Sequence, residues 1–69
     1  MDMICERVRS ARKSSRIPQY VAAKKLGYCT GSLSRMEHGT LYIKADTLRK
    51  MCLLYNVSED WMLGIRGDE

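Results

Sequence analysis

The chain has 69 residues, from which we expect one small domain and no second catalytic or ligand-sensing domain. Its 12 basic and 8 acidic residues give a net charge of +4, and its three cysteines lack the C-x-x-C spacing of a zinc or redox site. No apolar run approaches the roughly 18 residues of a bilayer span, and no secretory signal is visible. We therefore expect a cytoplasmic protein with reduced thiols, no metal and no membrane segment.

The first two helices are predicted at residues 2–14 and 18–26. Pro18 suits a first helical position, because its fixed φ and missing N–H cost nothing there. Val21 and Leu26 belong to an apolar face at helical spacing. Gly27 then ends the second helix, since glycine readily adopts the left-handed conformation.

A third helix is predicted at residues 30–38, after a turn at residues 27–29. Leu33 and Met36 face inward at helical spacing, and Gly39 closes the helix. Two helices separated by so short a turn have the layout of a helix-turn-helix. The outward face of the third helix is small and polar and ends in Arg35, which suits entry into a DNA major groove about 12 Å wide.

Two more helices are predicted at residues 45–55 and 59–63, and no strand is expected. One stripe of the fourth helix is an apolar core face, formed by Ala45, Leu48, Met51, Cys52 and Tyr55. Ser58 is a suitable N-cap for the fifth helix. The fold class is therefore a compact all-α domain of five helices at residues 1–65, followed by a tail at residues 66–69.

The letters of residues 26–39, LGYCTGSLSRMEHG, resemble the pattern L-G-V-S-x-x-T-I-S-x-I-E-x-G of the Cro/cI-type (XRE) helix-turn-helix family. Residues 7–12 are similar to the first helix of lambdoid phage repressors. Residues 56–64, NVSEDWMLG, are similar to the closing pattern G-V-S-x-x-W-L-L-x-G. The match covers about residues 4–64 and implies a lambda-repressor-like fold that binds double-stranded DNA.

The resemblance assigns roles at the DNA. Four residues occupy base-reading positions: Thr30, Gly31, Ser32 and Arg35. Arg35 is the main candidate for reading guanine through O6 and N7, and a phosphate contact is its alternative. Seven residues are candidates for the DNA backbone: Gln19, Arg12, Arg16, Ser34, His38, Tyr42 and Lys44. Arg12 also resembles a family arginine that pairs with the acidic residue of the motif helix, here Glu37.

Positive charge gathers on the half of the chain that carries the motif. The net charge is +3 over residues 1–16, +3 over residues 17–44 and −2 over residues 45–69. A charged helix face is often merely solvated. Its coincidence with the motif favours a phosphate-binding surface.

The C-terminal end predicts the oligomeric state. Trp61, Met62 and Ile65 are more apolar than a short terminal helix easily buries, which predicts a weak homodimer interface.

The expected function is a sequence-specific transcriptional regulator, a repressor that binds a palindromic operator as a dimer. The alternatives are a restriction-modification controller, an antitoxin, or a protein-interaction module that has lost DNA binding. With one histidine and no phosphate loop, we expect no enzyme, no cofactor and no small-molecule ligand.

Overall fold

The computed structural model describes residues 3–64, in which five helices follow one another. They are α1 (Met3–Ser14), α2 (Gln19–Leu26), α3 (Thr30–His38), α4 (Ala45–Tyr55) and α5 (Glu59–Leu63). The described range contains no strand, so the predicted all-α, five-helix fold is confirmed. The predicted helix start at residue 2, Ile65 and the predicted tail lie outside the described residues.

The helix ends follow the local chemistry of the sequence, with one difference. Gly27 and Gly39 have φ values of 86° and 81°, and each ends its helix in the left-handed conformation. Ser58 caps α5 through its side chain, which accepts from the backbone N–H of Trp61 at 3.1 Å. Pro18 is the N-cap of α2, not its first helical residue, because its ψ of 150° is extended. Its carbonyl still accepts from the N–H of Ala22 at 3.0 Å, as an N-cap carbonyl does.

The core lies between all five helices. Helix α1 packs on α3, α4 and α5, while α2 packs on α3 and α4. Twelve buried residues form the core cluster: Val8, Ala11, Ala22, Ala23, Leu26, Leu33, Met36, Leu48, Met51, Cys52, Tyr55 and Met62. Each large apolar side chain buried here stabilises the fold by roughly 1.5–3 kcal/mol. The stripe predicted on α4 is buried except at Ala45, which is exposed at the first residue of the helix.

Helix α5 is bonded to α1 through Arg7 and contributes to the core. The Nη1 of Arg7 donates to the carbonyl of Trp61 at 3.0 Å, and its guanidinium carbon lies 5.0 Å from the centre of the indole ring. Met62, on the same turn, is fully buried. Its side chain has no exposed surface that a second copy of the chain could contact, which removes Met62 from the predicted dimer interface. Trp61 is half-buried and Leu63 is 41% exposed.

Candidate nucleic-acid interface

The turn between α2 and α3 is held by bonds within the turn and by one bond to α4. The backbone N–H of Tyr28 donates to the carbonyl of Ala23 at 2.8 Å, which closes the end of α2. The hydroxyl of Tyr28 lies 2.8 Å from the hydroxyl of Thr47 on α4. These bonds fix where α3 begins. The Tyr28–Thr47 pair was not predicted, because it joins residues 19 positions apart and depends on how α4 crosses α2.

Helix α3 exposes three of the four predicted base-reading residues. Leu33 and Met36 are buried, whereas Thr30, Gly31 and Arg35 are exposed. Ser32, the fourth predicted residue, is half-buried. The exposed part of the helix therefore begins with small groups and ends with a long cationic side chain.

A buried ionic network joins α3 to the two preceding helices. The Nε of Arg12 donates to Oε2 of Glu37 at 2.7 Å, and its Nη2 donates to Oε1 at 3.2 Å. This two-point pairing is the geometry in which guanidinium and carboxylate interact most strongly. Arg12 also donates through Nη1 to the carbonyl of Ile17 at 3.0 Å. The predicted Arg12–Glu37 ion pair is confirmed, and its side chains are only 12% and 1% exposed.

Gln19 joins the same network. Its Nε2 donates to Oε1 of Glu37 at 3.1 Å, which ties the first turn of α2 to the last turn of α3. Gln19 was predicted to act only at the DNA backbone, since nothing in its spacing indicates a partner 18 residues away. The network thus contains one residue from each of α1, α2 and α3.

Tyr55 of α4 lies near this network. Its side chain is buried, and its hydroxyl forms no hydrogen bond within the described residues. Burial raises the pKa of Tyr55 to about 12, with the Glu37 carboxylate adding to the rise and the Arg12 guanidinium opposing it. The phenol is therefore neutral at physiological pH.

Most of the other predicted DNA-backbone residues are exposed around the ends of the helices. Arg16 has a φ of 59° just after α1, Lys44 is the N-cap of α4, and the side chain of Tyr42 is 81% exposed. The Nδ1 of His38 lies 2.8 Å from the carbonyl of Ser34, so these two residues are linked within α3. Arg16, Lys44, Tyr42 and His38 are accessible to a large ligand.

Cys29 is the N-cap of α3 and is exposed. It makes no side-chain capping bond, in keeping with the weak capping ability of a thiol. Its Sγ lies 3.3 Å from the hydroxyl of Ser32. That hydroxyl, followed by the nearby backbone amide of Ser32, lowers the pKa of Cys29.

The exposed charges of the motif have one sign. Between residues 17 and 44 the acidic residue is Glu37, which is buried and paired with Arg12. The exposed charges of this segment are Lys24, Lys25, Arg35 and Lys44. Such a surface attracts polyanions. Within residues 3–64 no group of histidine, cysteine and acidic side chains is arranged to hold a metal ion, and none of the described helices is long and apolar enough to cross a membrane.

Comparison with known proteins supports the same motif. A family model described as helix-turn-helix (HTH_3) matches residues 8–62. The chain is 39% identical over 59 residues to the HTH-type transcriptional regulator ImmR of Bacillus subtilis, an alignment that covers 86% of the chain and 46% of ImmR. It is 32% identical over 66 residues to the uncharacterized HTH-type transcriptional regulator YobD of the same organism, covering 96% of the chain and 59% of YobD. The chain thus spans about half the length of these relatives. No solved structure matches.

Proposed function

Because the chain belongs to the Cro/cI-type helix-turn-helix family, we propose that it is a sequence-specific, double-stranded DNA-binding transcriptional regulator. The observation that supports this most is the surface of α3, where exposed small residues and Arg35 form a face within a segment, residues 17–44, whose exposed charges are all positive. ImmR and YobD are both named as transcriptional regulators. The family assignment also agrees with the expectation that the chain is not an enzyme.

In this proposal α3 enters the major groove and α2 crosses the phosphate backbone. Thr30, Ser32 and Arg35 reach base edges, with Arg35 donating to guanine O6 and N7. Arg16 and Lys44 contact phosphates, which gives affinity and register without sequence information. Tyr42, Ser34 and His38 are placed by the proposal at the phosphate backbone as well.

Gln19 and Arg12 have two tasks in the proposal. Both donate to Glu37 and so hold α3 at a fixed angle to α1 and α2. Arg12 remains 12% exposed and Gln19 is half-buried, which leaves each some surface for a phosphate oxygen. Positioning of α3 is their main contribution, because the guanidinium nitrogens of Arg12 and the Nε2 of Gln19 already donate within the protein.

We further propose that the regulator is a repressor that binds a palindromic operator as a weak homodimer. Leu63 is 41% exposed on α5 and Leu53 is 79% exposed on α4, and with Trp61 they offer apolar surface to a second copy. A two-fold dimer would place its two α3 helices about 34–36 Å apart, one helical turn of DNA. Sedimentation equilibrium with and without operator DNA measures this association.

Salt dependence tests the DNA-binding proposal directly. Selection from a random-sequence duplex library supplies the best site, and fluorescence anisotropy measures its affinity at two salt concentrations. A dimer that contacts about six phosphates should lose about 10³-fold in affinity between roughly 50 and 200 mM salt. Failure to enrich any duplex would contradict the proposal and favour a module that binds a protein partner.

A further inference from the structure

Gly31 is the second residue of α3, and the folded chain does not require a glycine there. A Cβ built on Gly31 meets no atom within 4 Å other than those of its two chain neighbours and the nearby backbone of α3, and the φ of Gly31 is not left-handed. Gly27 and Gly39 differ, because their φ values of 86° and 81° explain them. Alanine favours a helix more than any other residue, so glycine lowers the stability of α3 without serving its packing.

The position of Gly31 indicates why a residue without a side chain lies there. Gly31 is exposed in the first turn of the helix that the proposed function places in the major groove, next to the exposed Thr30. A glycine in such a position allows close approach of the backbone to a ligand. We infer that Gly31 is a specificity-determining residue of the DNA interface, where the absent Cβ makes room for the 5-methyl group of a thymine. This inference rests on the proposed function.

The chemistry of the contact indicates that the base next to Gly31 is a thymine. The Cα of Gly31 offers neither a side-chain donor nor a side-chain acceptor, so what it presents to a base edge is van der Waals contact. The thymine 5-methyl is the apolar group that base pairs present in the major groove. A methyl group added at residue 31 would compete with the thymine methyl for the same space.

The experiment compares wild type with Gly31→Ala on selected duplexes. The matched control is Ser10→Ala, which also raises helix propensity but lies on the exposed face of α1. Gly31→Ala should unfold at a temperature higher by a few degrees, up to about 8 °C. It should nevertheless bind the wild-type site at least about tenfold more weakly, the cost of overfilling a packed contact. Ser10→Ala should keep the wild-type affinity.

Replacement of thymine by uracil tests the mechanism, because it removes the 5-methyl alone. Repeating the selection with Gly31→Ala identifies the base pair at which thymine is no longer preferred. A duplex with uracil there should restore binding of Gly31→Ala to within about threefold of wild type on the same duplex.

Three outcomes would overturn the inference. Equal binding of the thymine site by wild type and Gly31→Ala would show that residue 31 makes no close contact. A loss that uracil does not restore would show that the contacted group is not the thymine methyl. Failure of wild type to enrich any duplex would refute the proposed function itself, whereas the first two outcomes refute only this role of Gly31.

Discussion

Substitution of Glu37 by alanine should destabilise the fold severely. The Glu37 side chain is 1% exposed and accepts from Arg12 at 2.7 and 3.2 Å and from Gln19 at 3.1 Å. Removing one partner of a buried ion pair costs about 3–5 kcal/mol, because the other charge is left buried without compensation. Since Arg12 is 12% exposed and can regain some hydration, we expect a loss near the lower limit, about 3 kcal/mol.

That loss is a large share of the stability of so small a domain. At roughly 0.05–0.15 kcal/mol per residue, a chain of this size is stable by about 3–10 kcal/mol. The melting temperature of Glu37→Ala should therefore fall by about 12 °C or more, measured by circular dichroism. Gln19→Ala, which removes one hydrogen bond and leaves the ion pair, should cost only about 1 kcal/mol.

A double substitution separates the effect of losing the ion pair from the effect of leaving one charge buried without a partner. Arg12→Met combined with Glu37→Met replaces two charges with apolar groups, and such exchanges are often neutral or stabilising. We expect the double variant to be more stable than Glu37→Ala by about 3 kcal/mol. A Glu37→Ala variant that melts within about 4 °C of wild type would refute the reasoning, since that is the effect of an ordinary surface change.

Two further predictions concern Arg16 and Tyr55. Arg16→Gly should stabilise the fold by about 1 kcal/mol, because Arg16 has a φ of 59°, which glycine adopts without strain. The same change should weaken DNA binding and reduce its salt dependence, because one phosphate contact is lost. Unchanged affinity at all salt concentrations would contradict the phosphate role of Arg16. Folding favours the protonated form of Tyr55, because it raises the pKa of this residue from 10.0 to about 12. The stability that this preference contributes is present below pH 10 and is lost as the pH rises towards about 12. Urea unfolding should then show the free energy of unfolding of wild type falling by about 2 kcal/mol more over this range than that of Tyr55→Phe, whereas parallel curves would refute the burial argument.

The sequence predicted the helices well because their ends have strong local causes. Gly27, Gly39 and Ser58 act within one turn of the chain, so their effect can be seen without knowing the fold. The start of α2 was wrong by one residue, since a proline fits both an N-cap and a first helical position. The Arg12–Glu37 pair was predicted only through the family resemblance.

Contacts between residues far apart in the chain could not be predicted from local sequence patterns. The Gln19–Glu37 and Tyr28–Thr47 bonds depend on how α2 and α4 cross their neighbours, which spacing along the chain does not define. Met62 was misplaced for a related reason. Helix α5 has five residues, too few for periodicity to show which apolar side chain faces the core.

The central claim is that α3 reads base pairs through Arg35, and selection with a pair of variants tests it most directly. Arg35→Ala and Lys44→Ala each remove one exposed cation. Of these two residues, the proposed function places only Arg35 at base edges. Binding sites are selected from random duplex DNA with wild type and both variants, and affinities for the wild-type site are then measured. Arg35→Ala should lose the preference for guanine at one base pair of each half-site, with a discrimination loss of about 1–3 kcal/mol, while Lys44→Ala should weaken all sites equally. An unchanged base preference in Arg35→Ala would contradict the account.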